Sequence, residues 1–211
     1  MRRLVLVHGL GVSPRYFAPL REELARDYDV AAPDLRGGGG LDGMVRALAE
    51  VVAPGEWLLG NSMGCQLIAE LAVREPTAVR GAIFVGPTVD RRARTWLEQG
   101  RRLLADALQE PPSLLRIIVS DYVRTGPLRT ARMARDALRD PVELKVDRFE
   151  PPLLVVRGER DPLCPKRWAA ELVARAPLGR LQTVAGAAHA AHYSHPRELG
   201  VLVRAFVQEP E

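Results

Sequence analysis

Three residues far apart in the chain, Ser62, Asp161 and His189, are of the types that carry out acyl transfer. Ser62 stands in Leu58-Leu59-Gly60-Asn61-Ser62-Met63-Gly64-Cys65-Gln66-Leu67, an apolar run that breaks at a glycine-flanked serine and resumes with helical character. A serine on so sharp a strand-to-helix turn takes a strained backbone with positive φ, which lifts its hydroxyl above the sheet. Gly60 and Gly64 leave room for the bend. Unpaired N–H groups and the positive dipole end at the start of the following helix favour an oxyanion forming beside the serine.

A serine hydroxyl needs a base to take its proton, and the base needs an acid to fix its tautomer and stabilise the imidazolium. In a parallel sheet these partners must lie, like the nucleophile, beyond C-terminal strand ends. Asp161 follows an apolar run over 153–156, and His189 follows another over 181–184. Asp90, after a run over 81–86, is a rival acid; the Gly158-Glu159-Arg160-Asp161-Pro162 context favours Asp161. His192 and His195 compete with His189, but the spacing from Gly186 and to Pro196 selects His189. His195 reads as a helix cap and His8 as a loop support. Two backbone donors complete the set, Met63 N–H beside the nucleophile and Leu10 N–H in the loop after the first strand.

The elements that position these groups alternate. Strands are expected over 4–7, 29–33, 56–60, 81–86, 153–156 and 181–184, with helices over 15–27, 42–52 (capped by Asp42), 63–74, 165–176 and 196–207. Such alternation implies βαβ units, hence a parallel sheet with right-handed crossovers. Over 88–147 the rhythm changes to three amphipathic helical patterns punctuated by prolines, too long for a simple connection. The pattern predicts a single domain with a core of 1–87 and 148–211 and a helical insertion over 88–147. Trp96, Leu97 and Leu104 are expected on the underside of that insertion, against substrate. Arg91, Arg92, Arg94, Arg101 and Arg102 lie beside them, and one or two turned inward would select an acidic acyl group.

The 211 residues suffice for one well-buried core. The chain has a net charge of +4, but its 30 Lys and Arg are interleaved with 26 Asp and Glu, which argues against nucleic acid as a partner. No run reaches the length of a membrane span, and the apolar run over 4–7 is too short for a secretory signal, so a cytoplasmic location is expected. Cys65 and Cys164 read as free, packed thiols. No metal-ligand pattern is present.

The chain resembles α/β-hydrolase fold proteins of the abhydrolase type. The residues that carry the resemblance are His8-Gly9-Leu10-Gly11, Ala32-Pro33-Asp34-Leu35-Arg36-Gly37, Gly60-Asn61-Ser62-Met63-Gly64, Gly158-Glu159-Arg160-Asp161-Pro162, and Gly186-Ala187-Ala188-His189 with Pro196 beyond. They span nearly the whole chain in the family's order. The resemblance implies a cofactor-free serine hydrolase with the insertion as its lid, in an α/β three-layer sandwich. Two strands that usually precede the His-Gly loop are missing, so the implied sheet is mostly parallel and six-stranded, in the order 4-3-5-6-7-8 by the family's labels. The strand over 29–33 is then an exposed edge that a homodimer would cover. Gly37-Gly38-Gly39-Gly40 replaces the family's G-x-G-x-S, giving a mobile loop and passing the helix cap to Asp42. Cys65 stands where the family often has glycine.

The expected substrate is a small-molecule ester or thioester of a small to medium apolar acid. A dehalogenase or epoxide hydrolase of this fold would need a carboxylate at position 62. Serine-based C–C hydrolases, acyltransferases and cofactor-free oxidative enzymes stay compatible with the pattern, as does a non-catalytic ligand-binding or interaction protein that retains the fold.

Overall fold

Short apolar runs form strands here because helices bury both of their faces, and in the computed structural model, which describes residues 1–208, six of them make one all-parallel sheet. The strands are β1 (Arg2–Val7), β2 (Tyr28–Ala31), β3 (Glu56–Asn61), β4 (Val79–Val85), β5 (Leu153–Gly158) and β6 (Gly179–Val184). Their order, β2-β1-β3-β4-β5-β6, is the expected 4-3-5-6-7-8, and all pairings are parallel rather than most of them. β3 and β5 are buried at every position, whereas β2 and β6, at the two edges, are partly exposed.

The helices are α1 (Ala18–Leu24), α2 (Leu41–Ala49), α3 (Met63–Arg74), α4 (Trp96–Ala107), α5 (Pro112–Thr125), α6 (Pro127–Arg139), α7 (Val142–Val146), α8 (Lys166–Arg175), α9 (Ala191–Ser194) and α10 (Pro196–Gln208). Strand side chains alternate between faces, and the core divides accordingly. Val5, Val7, Leu58, Phe84 and Val155 pack with α2, α3 and α8 on one face; Leu4, Leu6, Leu59, Ile83 and Val156 pack with α1 and α10 on the other. Each fully buried side chain of this size contributes roughly 1.5–3 kcal/mol. Among the described residues no helix is long and apolar enough to cross a membrane.

Three local differences from the expected elements have physical causes. The helix expected over 15–27 is a 3-10 turn at Pro14–Phe17 followed by α1, because Pro19 has no N–H to donate and is accommodated only in a helix's first turn. Asp42 does not cap α2: Gly40 is the N-cap, and Asp42 lies inside the first turn, where it pairs with Arg46 and Arg74. The stretch over 88–147 has four α-helices, after a 3-10 turn at Arg91–Ala93, rather than three, since the five residues of α7 are too few to show a period. The four-residue α9 escapes sequence reading for the same reason.

The insertion is anchored unevenly. Met133, Ala137, Val142 and Val146 of α6 and α7 enter the core, and Gln66 Nε2 donates to Ala137 O at 2.9 Å. Leu114 of α5 enters the opposite cluster. In α4 the one buried residue is Asp106.

His192 of α9 is fully buried against Tyr16 and Phe17, with ring centroids 4.4 and 4.7 Å apart, and neither ring nitrogen has a hydrogen-bond partner. Burial, with the charge of His189 nearby, pushes its pKa down to about 3. The unfolded chain, with an ordinary value near 6.5, therefore binds this proton first, and the native state loses stability as pH falls below about 6.5. Urea titrations at pH 7 and pH 5 should show His192→Leu gaining about 2 kcal/mol on the wild type between those two conditions.

Candidate active site

The strand register brings the ends of β3, β4, β5 and β6 to one edge, pairing Asn61 with Val85, Val85 with Val156, and Gly158 with Val184. Ser62 is the first residue past β3 and the N-cap of α3, with φ 57° and ψ −121°. Among the described residues it is the one non-glycine with positive φ. α3 starts directly against β1: a Cβ on Gly64 would lie 2.1 Å from Val7 O, so only glycine permits this approach.

A buried network fixes the loop after β1 to this turn. Gly9 N–H donates to Tyr16 Oη at 2.8 Å, and the Tyr16 hydroxyl donates to Asn61 Oδ1 at 3.1 Å. Asn61 Nδ2 donates to Val85 O at 3.0 Å, and Ser62 N–H donates to the same carbonyl at 3.0 Å. His8 Nε2 accepts from Leu35 N–H at 2.9 Å, which leaves the proton on Nδ1 to donate to Gly9 O at 3.0 Å. Burial lowers the His8 pKa and keeps the ring neutral, so His8 supports the loop. Leu10 and Met63 line the same cavity as Ser62.

Asp161 and His189 meet across the sheet edge, with His189 Nδ1 2.9 Å from Asp161 Oδ2. Asp161 Oδ1 accepts from Leu163 N–H at 2.8 Å and Cys164 N–H at 2.9 Å. Burial alone would raise the Asp161 pKa, but the charge and hydrogen bond of His189 and these two N–H groups outweigh it and hold the carboxyl below its usual range. An ionised Asp161 fixes the proton on Nδ1. Nε2 is buried and without a partner, and His189 lines the cavity with Ser62, whose Oγ lies 3.3 Å from Thr88 Oγ1.

The rival acid is elsewhere. The Asp90 carboxylate accepts from Arg92 N–H at 3.1 Å and Arg102 Nη1 at 3.2 Å and also pairs with Arg167, with no histidine beside it. His195 Nδ1 lies 2.9 Å from Ser194 Oγ, and the His195 carbonyl accepts the Leu199 N–H that opens α10.

The cavity holds about 440 Å³ and is walled mainly by Val12, Trp96, Leu103, Leu115, Ile118 and Leu138. Of the three side chains expected there only Trp96 lines it. Leu97 and Leu104 are 85% and 66% exposed and lie outside it. The expected pair is one residue out of register: Trp96 and Leu103 have the same seven-residue spacing, and one step turns a helix by about 100°. None of the five arginines expected there, Arg91, Arg92, Arg94, Arg101 and Arg102, lines the cavity. Arg91 and Arg94 pair with Glu171 and Glu143, Arg101 with Glu98, and Arg102 with Asp90 and Glu98, so selection of an acidic acyl group by these side chains is not supported. Thr88, Asp106 and Glu110 line the cavity without having been anticipated. Thr88, just past β4, follows the strand-end rule; nothing local marks which way Asp106 of α4 and Glu110 in the turn after it face.

A model of the alpha/beta hydrolase family matches residues 4–200. The chain belongs to the alpha/beta hydrolase family. Among curated relatives, the hydrolase is similar to the pimeloyl-[acyl-carrier protein] methyl ester esterase of Neisseria meningitidis serogroup B (strain H44/76), 26% identical over 245 aligned positions that cover 99% of this chain and 93% of the relative. The enzyme of the same name from Serratia marcescens is 26% identical, covering 98% and 94%. Among solved structures, an esterase from Rhodococcus sp. ECU1013 superposes with a TM-score of 0.79 at 22% identity, covering 99% of this chain and 90% of that one. A hydrolase from Oleispira antarctica gives 0.81 at 12% identity, covering 100% and 92%. At those identities the two structures speak for the fold.

The His189–Asp161 pair lies directly over Gly86, whose φ is 56°. A Cβ there would sit 2.8 Å from His189 Nδ1 and 2.9 Å from Asp161 Oδ2. Gly86→Ala is expected to keep its far-UV circular dichroism but lose the deshielded Nδ1–H proton of the pair in ¹H NMR, because both the positive φ and the contact oppose the added methyl group.

Proposed function

We propose that this hydrolase cleaves an uncharged carboxylic ester or thioester of a small to medium apolar acid through an acyl-enzyme on Ser62. His189 Nε2 takes the Ser62 proton as Oγ attacks the carbonyl carbon, and the tetrahedral oxyanion accepts hydrogen bonds from Leu10 and Met63 N–H. The imidazolium then protonates the departing alkoxide or thiolate. Water, deprotonated by His189, attacks the acyl-enzyme, and collapse of the second tetrahedral species frees the acid and restores Ser62. Asp161 keeps the imidazole in the tautomer that presents Nε2 and stabilises its charged form. Apart from the substrate and water, every group named in these steps belongs to the chain.

The observation that carries the reading is the buried dyad. His189 is bonded through Nδ1 to Asp161 and has its other nitrogen unpartnered at the cavity of a strained, helix-capping serine. The apolar wall supports an aliphatic acyl group, and no arginine is available within it for a substrate carboxylate. The relatives' name, an esterase acting on a methyl ester of a carrier-bound acyl chain, supports the same chemistry.

Burial lowers the His189 pKa, but the charge and hydrogen bond of Asp161, with Asp106 and Glu110 nearby, raise it to about 9. The base is thus protonated, and idle, below that value. kcat/KM for 4-nitrophenyl butyrate is expected to rise with pH to an inflection near 9. A fluorophosphonate should label Ser62, with labelling abolished in Ser62→Ala and suppressed in His189→Ala. Asp161→Asn should lower kcat/KM by about 10³–10⁴, since the amide imposes the wrong tautomer, while Asp90→Asn costs less than about tenfold. Folded wild-type protein that neither labels nor turns over any ester from acetate to dodecanoate would refute the proposal.

A further inference from the structure

α4 lies over the cavity with its apolar residues largely in the open, Trp96 57% exposed, Leu103 47% and Leu104 66%. Apolar packing does not hold it down, since its one buried residue is a carboxylate. Two polar attachments lead from that region to the segment carrying His189. Asp106 Oδ1 accepts from His189 N–H at 3.0 Å, and Glu110 Oε1 accepts from Ala190 N–H at 2.6 Å. The two carboxylates are four residues apart and are kept on one side by the turn in which Glu110 N–H donates to Asp106 O at 3.1 Å. Both are more than nine-tenths buried, both line the cavity, and Glu110 Oε2 has no partner. A third tie, Arg102 to Asp90, runs to the β4 side of the sheet edge.

Two carboxylates buried on consecutive amides form charge-assisted bonds, stronger than neutral ones. They are also an expensive way to satisfy two N–H groups that a carbonyl or water would satisfy. Their placement has a second effect. The groups that face His189 are Asp161 on Nδ1, Asp106 and Glu110 from the lid, and the neutral His192 from α9, so the lid supplies two of the three acidic neighbours of the base. Burial raises the Glu110 pKa to about 7 and raises that of Asp106.

We propose that Asp106 and Glu110 are positioning residues that latch α4 to the base loop, so that His189 is in register with Ser62 only while the lid helix is seated. This rests on the acyl-enzyme reading above. The face of α4 carrying Trp96, Gly100, Leu103 and Ala107 walls the cavity, so an acyl chain that fills the cavity packs under the helix, seats it and thereby sets the base. Chain length then appears in kcat as well as in KM, because binding energy from the unreactive end of the substrate is used at the reacting centre. 

The test compares wild type with the double variants Asp106→Ala/Glu110→Ala and Asp106→Asn/Glu110→Gln. Hydrogen exchange monitored by mass spectrometry should show segments 96–107 and 187–191 exchanging together at least tenfold faster in the alanine pair. kcat for 4-nitrophenyl octanoate should fall at least tenfold, and the kcat advantage of octanoate over acetate should shrink. The amide pair keeps the acceptor oxygens without the charge; it should recover protection at 187–191 and move the inflection of kcat/KM from near 9 to lower pH. If the alanine pair does not fold by circular dichroism, Glu110→Ala, which leaves Asp106 on His189 N–H, replaces it. Unchanged exchange at 187–191, or faster exchange with kcat unaltered, overturns the latch. Fluorophosphonate labelling of wild-type Ser62 reads the acyl-enzyme independently: unlabelled Ser62 removes that reading and the register claim with it, whereas normal labelling with unchanged exchange removes the latch alone.

Discussion

Holding Ser62 at φ 57° and ψ −121° costs on the order of 1–3 kcal/mol, and a strained residue persists only where its surroundings over-determine it. The surroundings here are the sheet itself. Ser62 N–H and Asn61 Nδ2 both bond to Val85 O of the neighbouring strand, and Gly64 lets α3 rest its first turn on the Val7 carbonyl. β1, β3, β4 and α3 thus meet within a few residues of one hydroxyl. Relaxing that turn would break hydrogen bonds in two strands and open the close approach of α3 to β1 that Gly64 permits. The Gly9–Tyr16–Asn61 chain extends the same constraint to the loop that carries Leu10.

The second organising feature is charge out of water. Asp161 remains ionised at full burial because two backbone N–H groups and an imidazole share its charge. Asp90, equally buried, achieves the same with arginines and a backbone N–H. Two aspartates at adjacent strand ends are therefore distinguished by what their loops bring to them: in one case an imidazole over Gly86, in the other the guanidinium groups of α4 and α8. His192 is the contrasting case, a polar ring placed in an apolar cluster with nothing to bond, kept neutral by the cost of charging it there.

The insertion divides by the same physics. α6 and α7 are held by side chains continuous with the main core, while α4 relies on Asp106, Glu110 and Arg102. Apolar burial over a large area gives a rigid attachment, whereas a few hydrogen bonds can break and re-form at little net cost. The half of the insertion bound to α3 fixes the cavity's far wall, and the half bound by polar groups faces His189.

Most of the sheet, and the convergence of Ser62, Asp161 and His189 at one end of it, were legible in the sequence because their signals are local or strictly ordered. A continuous apolar run, a glycine two places on either side of a serine, and residues just beyond strand ends each follow from the geometry of a covered parallel sheet. The chain by itself thus determined the parallel strands, the sharp turn at Ser62 and which aspartate and histidine follow the last two strands, whereas the strand order came only through the family resemblance. Only the tertiary structure decided what surrounds them. Helical periodicity allowed either Trp96 and Leu103 or Leu97 and Leu104 to face inward, since each pair repeats at seven residues and only the docking of the helix selects between them. Asp106 and Glu110 look in sequence like the solvated face of an amphipathic helix. They become buried partners of His189 and Ala190 because a segment some eighty residues later folds beneath them, a proximity that no local pattern encodes.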